Sequence, residues 1–136
     1  MGSVNFKLDW FFPGQQILIL GFGMEGKSTA RFLRTYCRGC QITIADKSQQ
    51  INTAEQEFRD CKFILGDHYL EALGAFDLVI KSPGIPNSLL EGKIEEEKLT
   101  SQTDIFLRLF RDQIVGVTGT KGKSTTSTLI HSILEM

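Results

Sequence analysis

The sequence lacks an excess of charge of either sign. Its 136 residues carry 15 lysines and arginines against 16 aspartates and glutamates, which gives a net charge of -1. Such a balance provides no general electrostatic attraction to nucleic acid or to an acidic membrane surface. The composition therefore favours small-molecule partners, with no nucleic acid and no membrane among them.

Long apolar runs are also missing. No run approaches the roughly 18 to 20 residues that span a bilayer, and the opening MGSVNFKLDWFFPG lacks the apolar stretch and cleavage site of a signal peptide. We therefore expect a cytoplasmic protein. With 41% hydrophobic residues, a chain of this length can bury one core of ordinary size, so we predict one domain plus a small additional segment.

Cysteine is scarce, and the three cysteines are too few for a disulfide framework. Cys37 and Cys40 have the CxxC spacing, but they fall where a helix is expected to end, whereas a thioredoxin-like pair lies at a helix start. A single CxxC pair also makes a poor zinc site. We predict that these two residues and Cys61 are reduced and structural.

Short apolar runs alternate with helical patterns along the chain. Strands are predicted at 16–20, 41–45, 61–65, 76–80 and 114–118, and helical segments at 26–37, 52–59, 68–74, 87–98, 102–111 and 124–136. Strands that alternate with helical crossovers form parallel sheets with right-handed connections. The pattern predicts an α/β fold with a Rossmann-like parallel sheet flanked by helices.

The first chemical motif is GFGMEG, in which Gly21, Gly23 and Gly26 have the GxGxxG spacing. The motif is weak alone, but here it follows a predicted strand and opens a predicted helix. Gly21 would permit the tight turn, Gly23 the approach of a phosphate or sugar, and Gly26 the close packing of helix and strand. Asp46, after the second strand, could accept hydrogen bonds from ribose hydroxyls or could be a solvated turn residue. These features predict a nucleotide site without identifying the nucleotide.

The segment KSPGIP, residues 81–86, follows the fourth predicted strand. Open parallel sheets bind ligands outside the carboxyl ends of their strands, so this turn should lie on the same edge as the glycine loop and Asp46. Ser82 offers a hydroxyl, Gly84 offers an accessible N–H group, and the two prolines stiffen the turn. Without the other two motifs, an ordinary loop would be the preferred interpretation.

The segment GTKGKST near the end of the chain has the composition of a phosphate-binding loop, although it departs from the formal Walker pattern at the first glycine. Gly119 and Gly122 would shape a loop of backbone donors, and Lys123 would bind the outer phosphates. Ser124 or Thr125 would hold Mg²⁺. The sequence therefore predicts a second nucleotide site.

Taken together, GFGMEG, Asp46, SPGIP and GVTGTKGKSTT resemble, in this order and spacing, the amino-terminal part of a Mur ligase. The resemblance is strongest to the branch that adds D-glutamate to UDP-N-acetylmuramoyl-L-alanine. It implies a UDP-substrate-binding Rossmann-like domain at 1–112, and at 113–136 the first strand, P-loop and helix of a truncated central ATPase domain. It also implies an ATP-dependent, amide-forming ligase of peptidoglycan precursor synthesis, with D-glutamate bound by domains that the chain lacks.

The resemblance further implies roles for individual residues. Those expected at the UDP part of the substrate follow three predicted strands: Gly23, Met24, Glu25, Gly26, Asp46, Lys47, Ser82, Pro83 and Gly84. Those expected at ATP form the second loop: Gly119, Thr120, Lys121, Gly122, Lys123, Ser124 and Thr125. Lys123 would be catalytic because it neutralises charge as the γ-phosphate moves, and Ser124 and Thr125 would bind Mg²⁺.

The resemblance also carries expectations about the chain as a whole. The 136-residue chain should bind ligands without ligase activity, and residues 113–136 should be only loosely attached to the first domain. Substitution of Asp46 by alanine should weaken binding of a uridine nucleotide and hardly change the stability of the fold.

Three alternatives stay open at this point. A nicotinamide-dependent Rossmann protein would equally contain GFGMEG and Asp46, but SPGIP and GTKGKST would not be expected in it. A regulatory nucleotide-binding module without enzymatic activity is a second possibility. The third is a Mur-type ligase that adds another amino acid.

Overall fold

The computed structural model describes residues 15–37 and 39–136. The chain divides into a first compact unit that ends at Ile105 and a second that comprises Phe106–Met136. The proposed functional boundary between residues 112 and 113 stays a prediction. Within the described residues, no helix is both long enough and apolar enough to cross a membrane.

The first unit is built on a parallel sheet. Its strands, within the described residues, are β1 (Gln16–Leu20), β2 (Gln41–Asp46), β3 (Lys62–Leu65), β4 (Leu78–Lys81) and β5 (Leu99–Ser101). Their order across the sheet is β3-β2-β1-β4-β5, and every neighbouring pair is parallel. The order reverses direction between β1 and β4, which is the point where Rossmann-like sheets bind ligands. The α/β prediction with a Rossmann-like parallel sheet is confirmed.

The central strand β1 is buried on both faces, since each of residues 17–20 is at most 1% exposed. Strands covered on both sides are typically such continuous apolar runs. One face of β1 packs in a hydrophobic cluster that includes Val79. The other face lies under helix α1 (Met24–Tyr36), where Gly26 approaches the side chain of Ile19.

The described α-helices are α1, α2 (Gln102–Leu109) and α3 (Lys123–Leu134). The remaining helical turns are short 3-10 segments: Gln56–Phe58, Leu73–Ala75, Asn87–Leu89, Glu96–Lys98 and Arg111–Gln113. The prediction of a helix over 52–59 is therefore too long. Most side chains of α3 are exposed, including those of Leu129 and Ile133 at 60% and 69%.

Two further predicted elements are wrong. Residues 87–98 do not form one continuous helix but two short 3-10 segments, because Gly92 adopts a φ of +72° between them and Leu90 is the one buried residue of the range. Residues 114–118 do not form a strand, and the expected first strand of an ATPase domain is therefore missing. Within the described residues this segment has no neighbouring strand to pair with its N–H and C=O groups.

The prediction that all cysteines are reduced is wrong for two of them. Cys37 directly follows α1 and Cys40 directly precedes β2, and the two are joined in a disulfide with their Cα atoms 5.7 Å apart. Cys61 is the free cysteine among the described residues, and burial raises the pKa of its thiol.

Candidate functional site

The glycine loop after β1 has the geometry that its sequence predicts. Gly21 adopts a φ of +93°, which glycine tolerates better than any other residue, and its amide donates a 2.8 Å hydrogen bond to the carbonyl of Ala45 in β2. A Cβ on Gly26 would overlap the carbonyl oxygen of Gly21, so α1 packs too closely against the loop for a side chain. Gly23 precedes the first turn of α1. The loop and the helix start are therefore fixed to the carboxyl ends of β1 and β2.

Asp46 holds this loop through its side chain. Oδ2 accepts a 2.6 Å hydrogen bond from the amide of Phe22, and Oδ1 accepts one of 2.8 Å from the amide of Ser48. A carboxylate that accepts bonds from two backbone amides orders both segments. Asp46 is therefore more than a solvated turn residue: it links the glycine loop to the end of β2.

The turn after β4 reaches the same loop from the other side. The amide of Ser82 donates to the carbonyl of Leu20 at 2.9 Å, and its hydroxyl donates to the carbonyl of Gly21 at 3.1 Å. The turn itself closes through a 3.2 Å bond from the amide of Ile85 to the carbonyl of Ser82. The three sequence motifs of the first unit thus meet at one edge of the sheet.

The outer surface of this edge is open. Among the residues that the structure describes, a Cβ on Gly23 or on Gly84 would have no neighbouring atom within 4 Å, and Met24 is 88% exposed. Glu25, Lys47 and Pro83 are exposed as well. The amides in the first turn of α1 precede its first internal hydrogen bond, from Lys27 to Gly23, and such amides attract anions. The edge combines room for a ligand with donors for a phosphate.

Side chains that the sequence motifs do not identify pack against the glycine loop and stabilise it. The ring of Phe22 is buried and packs edge-to-face against Phe58 and Phe63, with ring centroids 5.0 and 5.9 Å apart. Lys27 lies over the same ring and forms a 2.9 Å ion pair with Glu55. Phe22 lies inside the glycine motif, and an aromatic residue at this position is a local signal for a packing contact. Phe58 lies 36 residues away, and no local signal connects it to the loop.

Further ion pairs attach the segment 55–60 to the exposed side of α1. Arg31 bonds to both carboxylate oxygens of Glu57, and this hydrogen bonding lowers the pKa of that carboxyl. Arg34 pairs with Asp60 at 3.0 Å. The helix that carries the glycine loop is therefore tied to the connection between β2 and β3 along its length.

The phosphate-binding loop predicted from GTKGKST lies in the second unit. Gly119 and Gly122 adopt φ values of +146° and +78°, and α3 begins directly after Gly122. The Lys123 ammonium donates a 2.6 Å hydrogen bond to the carbonyl of Gly119 and so closes the loop. Thr120, Lys121, Ser124 and Thr125 are exposed. The loop has the glycine conformations, the helix start and the cation that a phosphate-binding loop requires.

No group of three or more histidine, cysteine or acidic side chains that could hold a metal occurs in residues 15–37 and 39–136. Ser124 and Thr125 carry exposed hydroxyl oxygens, and Mg²⁺ accepts oxygen ligands.

A cavity of about 480 Å³ lies at the opposite edge of the sheet, at the amino ends of β2 and β3. Its lining includes all three cysteines together with Arg34 and Asp60. None of the residues that the sequence motifs nominate for ligand binding lines this cavity. It is thus distinct from the carboxyl edge where the three motifs meet.

Comparison with known proteins finds relatives across this chain. The family model described as "Mur ligase MurD-like, N-terminal domain" matches residues 15–103. The protein named "UDP-N-acetylmuramoylalanine--D-glutamate ligase" from Ligilactobacillus salivarius is 35% identical over 90% of this chain and 28% of its own length. The protein of the same name from Acetivibrio thermocellus is 34% identical over 97% of this chain and 30% of its own length. The one from Streptococcus gordonii is 35% identical over 90% of this chain and 28% of its own length. The chain spans about three-tenths of the length of these relatives.

Proposed function

Because the chain belongs to the Mur ligase family through its MurD-like N-terminal domain, we propose that the carboxyl edge of its sheet binds the UDP part of UDP-N-acetylmuramoyl-L-alanine. The observation that carries the proposal is the meeting of three segments at this edge. Asp46 bonds to the glycine loop from one side, and Ser82 bonds to it from the other. Gly23 and Gly84 leave space above them.

The chemistry of this edge suits a nucleoside diphosphate. The first turn of α1 offers the backbone amides that precede its first internal hydrogen bond and the positive end of a helix dipole, which attract the diphosphate. The Ser82 hydroxyl and the backbone of Pro83 and Gly84 lie in the adjoining turn and would contact diphosphate and sugar. Met24, Glu25 and Gly26 would border the uridine, with Asp46 and Lys47 on its other side. The names of the relatives, which include a UDP-linked substrate, support uridine over a nicotinamide nucleotide.

For the second unit, the proposed ligand is ATP with Mg²⁺. The residues of the loop fit a nucleotide triphosphate, since Gly119 and Gly122 shape it and Lys123 already lies across it. Lys123 would move from the Gly119 carbonyl to the outer phosphates and neutralise their charge. Ser124 and Thr125 would supply hydroxyl ligands to Mg²⁺. ATP, when bound, supplies the phosphoryl group that activates a carboxylate.

The whole reaction proposed is the ATP-dependent formation of an amide between UDP-N-acetylmuramoyl-L-alanine and D-glutamate, a step in peptidoglycan precursor synthesis. The names of the relatives support D-glutamate over another amino acid. The 136-residue chain alone should not catalyse it, because phosphoryl transfer depends on many groups positioned around the nucleotide and this chain corresponds to about three-tenths of a relative. We also propose that the protein is located in the cytoplasm.

Calorimetric titration of the chain with UDP, UDP-N-acetylmuramoyl-L-alanine and NAD tests the assignment of the first site. We expect binding of both uridine compounds and none of NAD at the same concentration. A preference for NAD would instead indicate a nicotinamide-binding Rossmann protein. Phosphate release with ATP, Mg²⁺, both substrates and the 136-residue chain tests the second part, and turnover that Lys123→Ala abolishes would refute the expected inactivity.

A further inference from the structure

Lys81 closes the turn that follows β4. It is the last residue of that strand, and its side chain is half-buried. Its ammonium group donates a 2.8 Å hydrogen bond to the carbonyl oxygen of Ile85. Because the donor is charged, such a bond is stronger than one between two neutral groups. The bond ties the last residue of the turn back to the strand from which the turn leaves.

Ile85 and Ser82 connect this turn to the glycine loop. The side chain of Ile85 packs against the hydrophobic cluster, and its Cδ1 atom lies 3.2 Å from the position that a Cβ on Gly21 would take. The hydroxyl of Ser82 bonds to the carbonyl of the same glycine. A displacement of Ile85 would therefore change its own contact with the glycine loop, and it would reach Ser82 through the bond from the Ile85 amide to the Ser82 carbonyl.

The composition of the turn explains why a bond from outside it matters. Pro83 has no amide hydrogen with which to hold the turn, and Gly84 has more backbone freedom than any other residue type. Within residues 15–37 and 39–136, a Cβ on Gly84 would have no neighbour within 4 Å, so no side chain packs at that point of the turn. The bond from Lys81 restrains the carbonyl of Ile85, the residue that follows Gly84.

We propose that Lys81 is a positioning residue for ligand binding at the carboxyl edge: it fixes the Ser82–Ile85 turn in the conformation that receives the diphosphate of a uridine nucleotide. The proposal rests on the proposed function of this edge. A turn that is already restrained loses less conformational entropy when a ligand binds, and the restraint therefore raises affinity. The ammonium group is bonded to Ile85, so it acts through the turn and does not itself need to touch the ligand.

Calorimetric titration with UDP of three variants tests the effect on binding. Lys81→Met keeps the length of the side chain and removes the donor, and we expect it to weaken UDP binding about ten-fold, the scale of one lost charged hydrogen bond. Lys81→Arg should recover much of the affinity, because a guanidinium can also donate to the carbonyl. Lys62→Met is the matched control, since it removes the same charge from exposed Lys62 at the amino end of β3 and should leave UDP affinity unchanged.

Hydrogen exchange without ligand tests the positioning role by itself. The amide of Ile85 should exchange faster in Lys81→Met than in Lys62→Met, while the amide of Ile44 in β2 should exchange equally in both. Equal exchange at Ile85, or equal UDP affinity of the two variants, would overturn the proposal.

A failure of the proposed function has a different signature. If the unmodified chain does not bind UDP, the ligand assigned to the edge is wrong, and the part of the proposal that concerns UDP falls with it. Faster exchange at Ile85 in Lys81→Met would then still support the role of Lys81 in holding the turn.

Discussion

The amide of Phe22 donates a 2.6 Å hydrogen bond to Oδ2 of Asp46, and this bond joins the glycine loop after β1 to the end of β2. The second carboxylate oxygen is bonded to the amide of Ser48. The carboxylate is thus engaged with the protein before any ligand arrives. A ribose hydroxyl would have to share it with these two amides.

The first prediction concerns the stability of the Asp46→Ala variant. The expectation from sequence is that stability hardly changes, but the structure predicts a loss of about 1 to 3 kcal/mol, because two backbone amides lose a charged acceptor. Urea denaturation measures this loss. Asp67→Ala, at an exposed position of a neighbouring loop, is the control and should cost less than about 0.5 kcal/mol. Equal midpoints for the two variants would show that the Asp46 bonds do not stabilise the fold.

The second prediction uses two glycines with open surroundings. Gly23 has a φ of -73°, and no atom of the described part of the chain lies within 4 Å of a Cβ position on it, so Gly23→Val should fold normally. Its side chain would occupy the space above the glycine loop, and we expect UDP affinity to fall at least about ten-fold, a change of about 1.4 kcal/mol. Gly116→Val, also at an open position but in the second unit, should leave UDP affinity unchanged. Unchanged affinity in Gly23→Val would place the ligand elsewhere.

The accuracy of the sequence predictions differed between elements for physical reasons. Runs such as those of β1 and β2 were found because they are apolar, bounded by turn residues and buried in the sheet. The strand β5 was missed because Leu99–Ser101 is three residues long and mostly polar. The segment 114–118 has strand-like composition, but a strand also requires a partner, which composition cannot reveal.

The motifs of the candidate site can be predicted from the sequence, but the side-chain contacts that stabilise the glycine loop cannot. Local sequence is enough to predict the glycine loop and the turn after β4. The contact of Phe22 with Phe58 and the ion pair of Lys27 with Glu55 depend on the tertiary position of the connection between β2 and β3, which local sequence does not indicate. The sequence does not indicate the disulfide between Cys37 and Cys40, because a reactive CxxC pair typically lies at a helix start, whereas this pair follows a helix end.

A third prediction concerns pH. The hydrogen bond and charge of Glu71 raise the pKa of His68 above its ordinary value of 6.5, with a 2.6 Å contact between Nδ1 and Oε1. Because the folded-state pKa is raised, the interaction stabilises the fold below the unfolded-state pKa, and this contribution is lost as pH rises through the folded-state value. Titration of the His68 ring signals by NMR should show a midpoint above 6.5. Glu71→Gln should lower that midpoint, and an identical midpoint in the variant would exclude Glu71 as the cause.

A fourth prediction concerns α3. Its apolar residues Leu129, Ile133 and Leu134 are 60%, 69% and 78% exposed, so little packing protects its hydrogen bonds. We expect its amides to exchange orders of magnitude faster than those of Ile19 and Ile44 in the sheet, since local opening without buried contacts costs little free energy. Hydrogen exchange on the 136-residue chain measures both sets together. Comparable protection of α3 and the sheet would contradict the expectation that this end is loosely attached.

The central claim is that three separate segments form one uridine-nucleotide site at the carboxyl edge of the sheet. Mapping of amide chemical shifts during titration of the 136-residue chain with UDP tests it most directly. Shifts should concentrate in three groups of residues: 22–26, 46–48 and 82–85. Shifts confined to the cysteine-lined cavity at the opposite edge, or the absence of saturable shifts in all three groups, would contradict it.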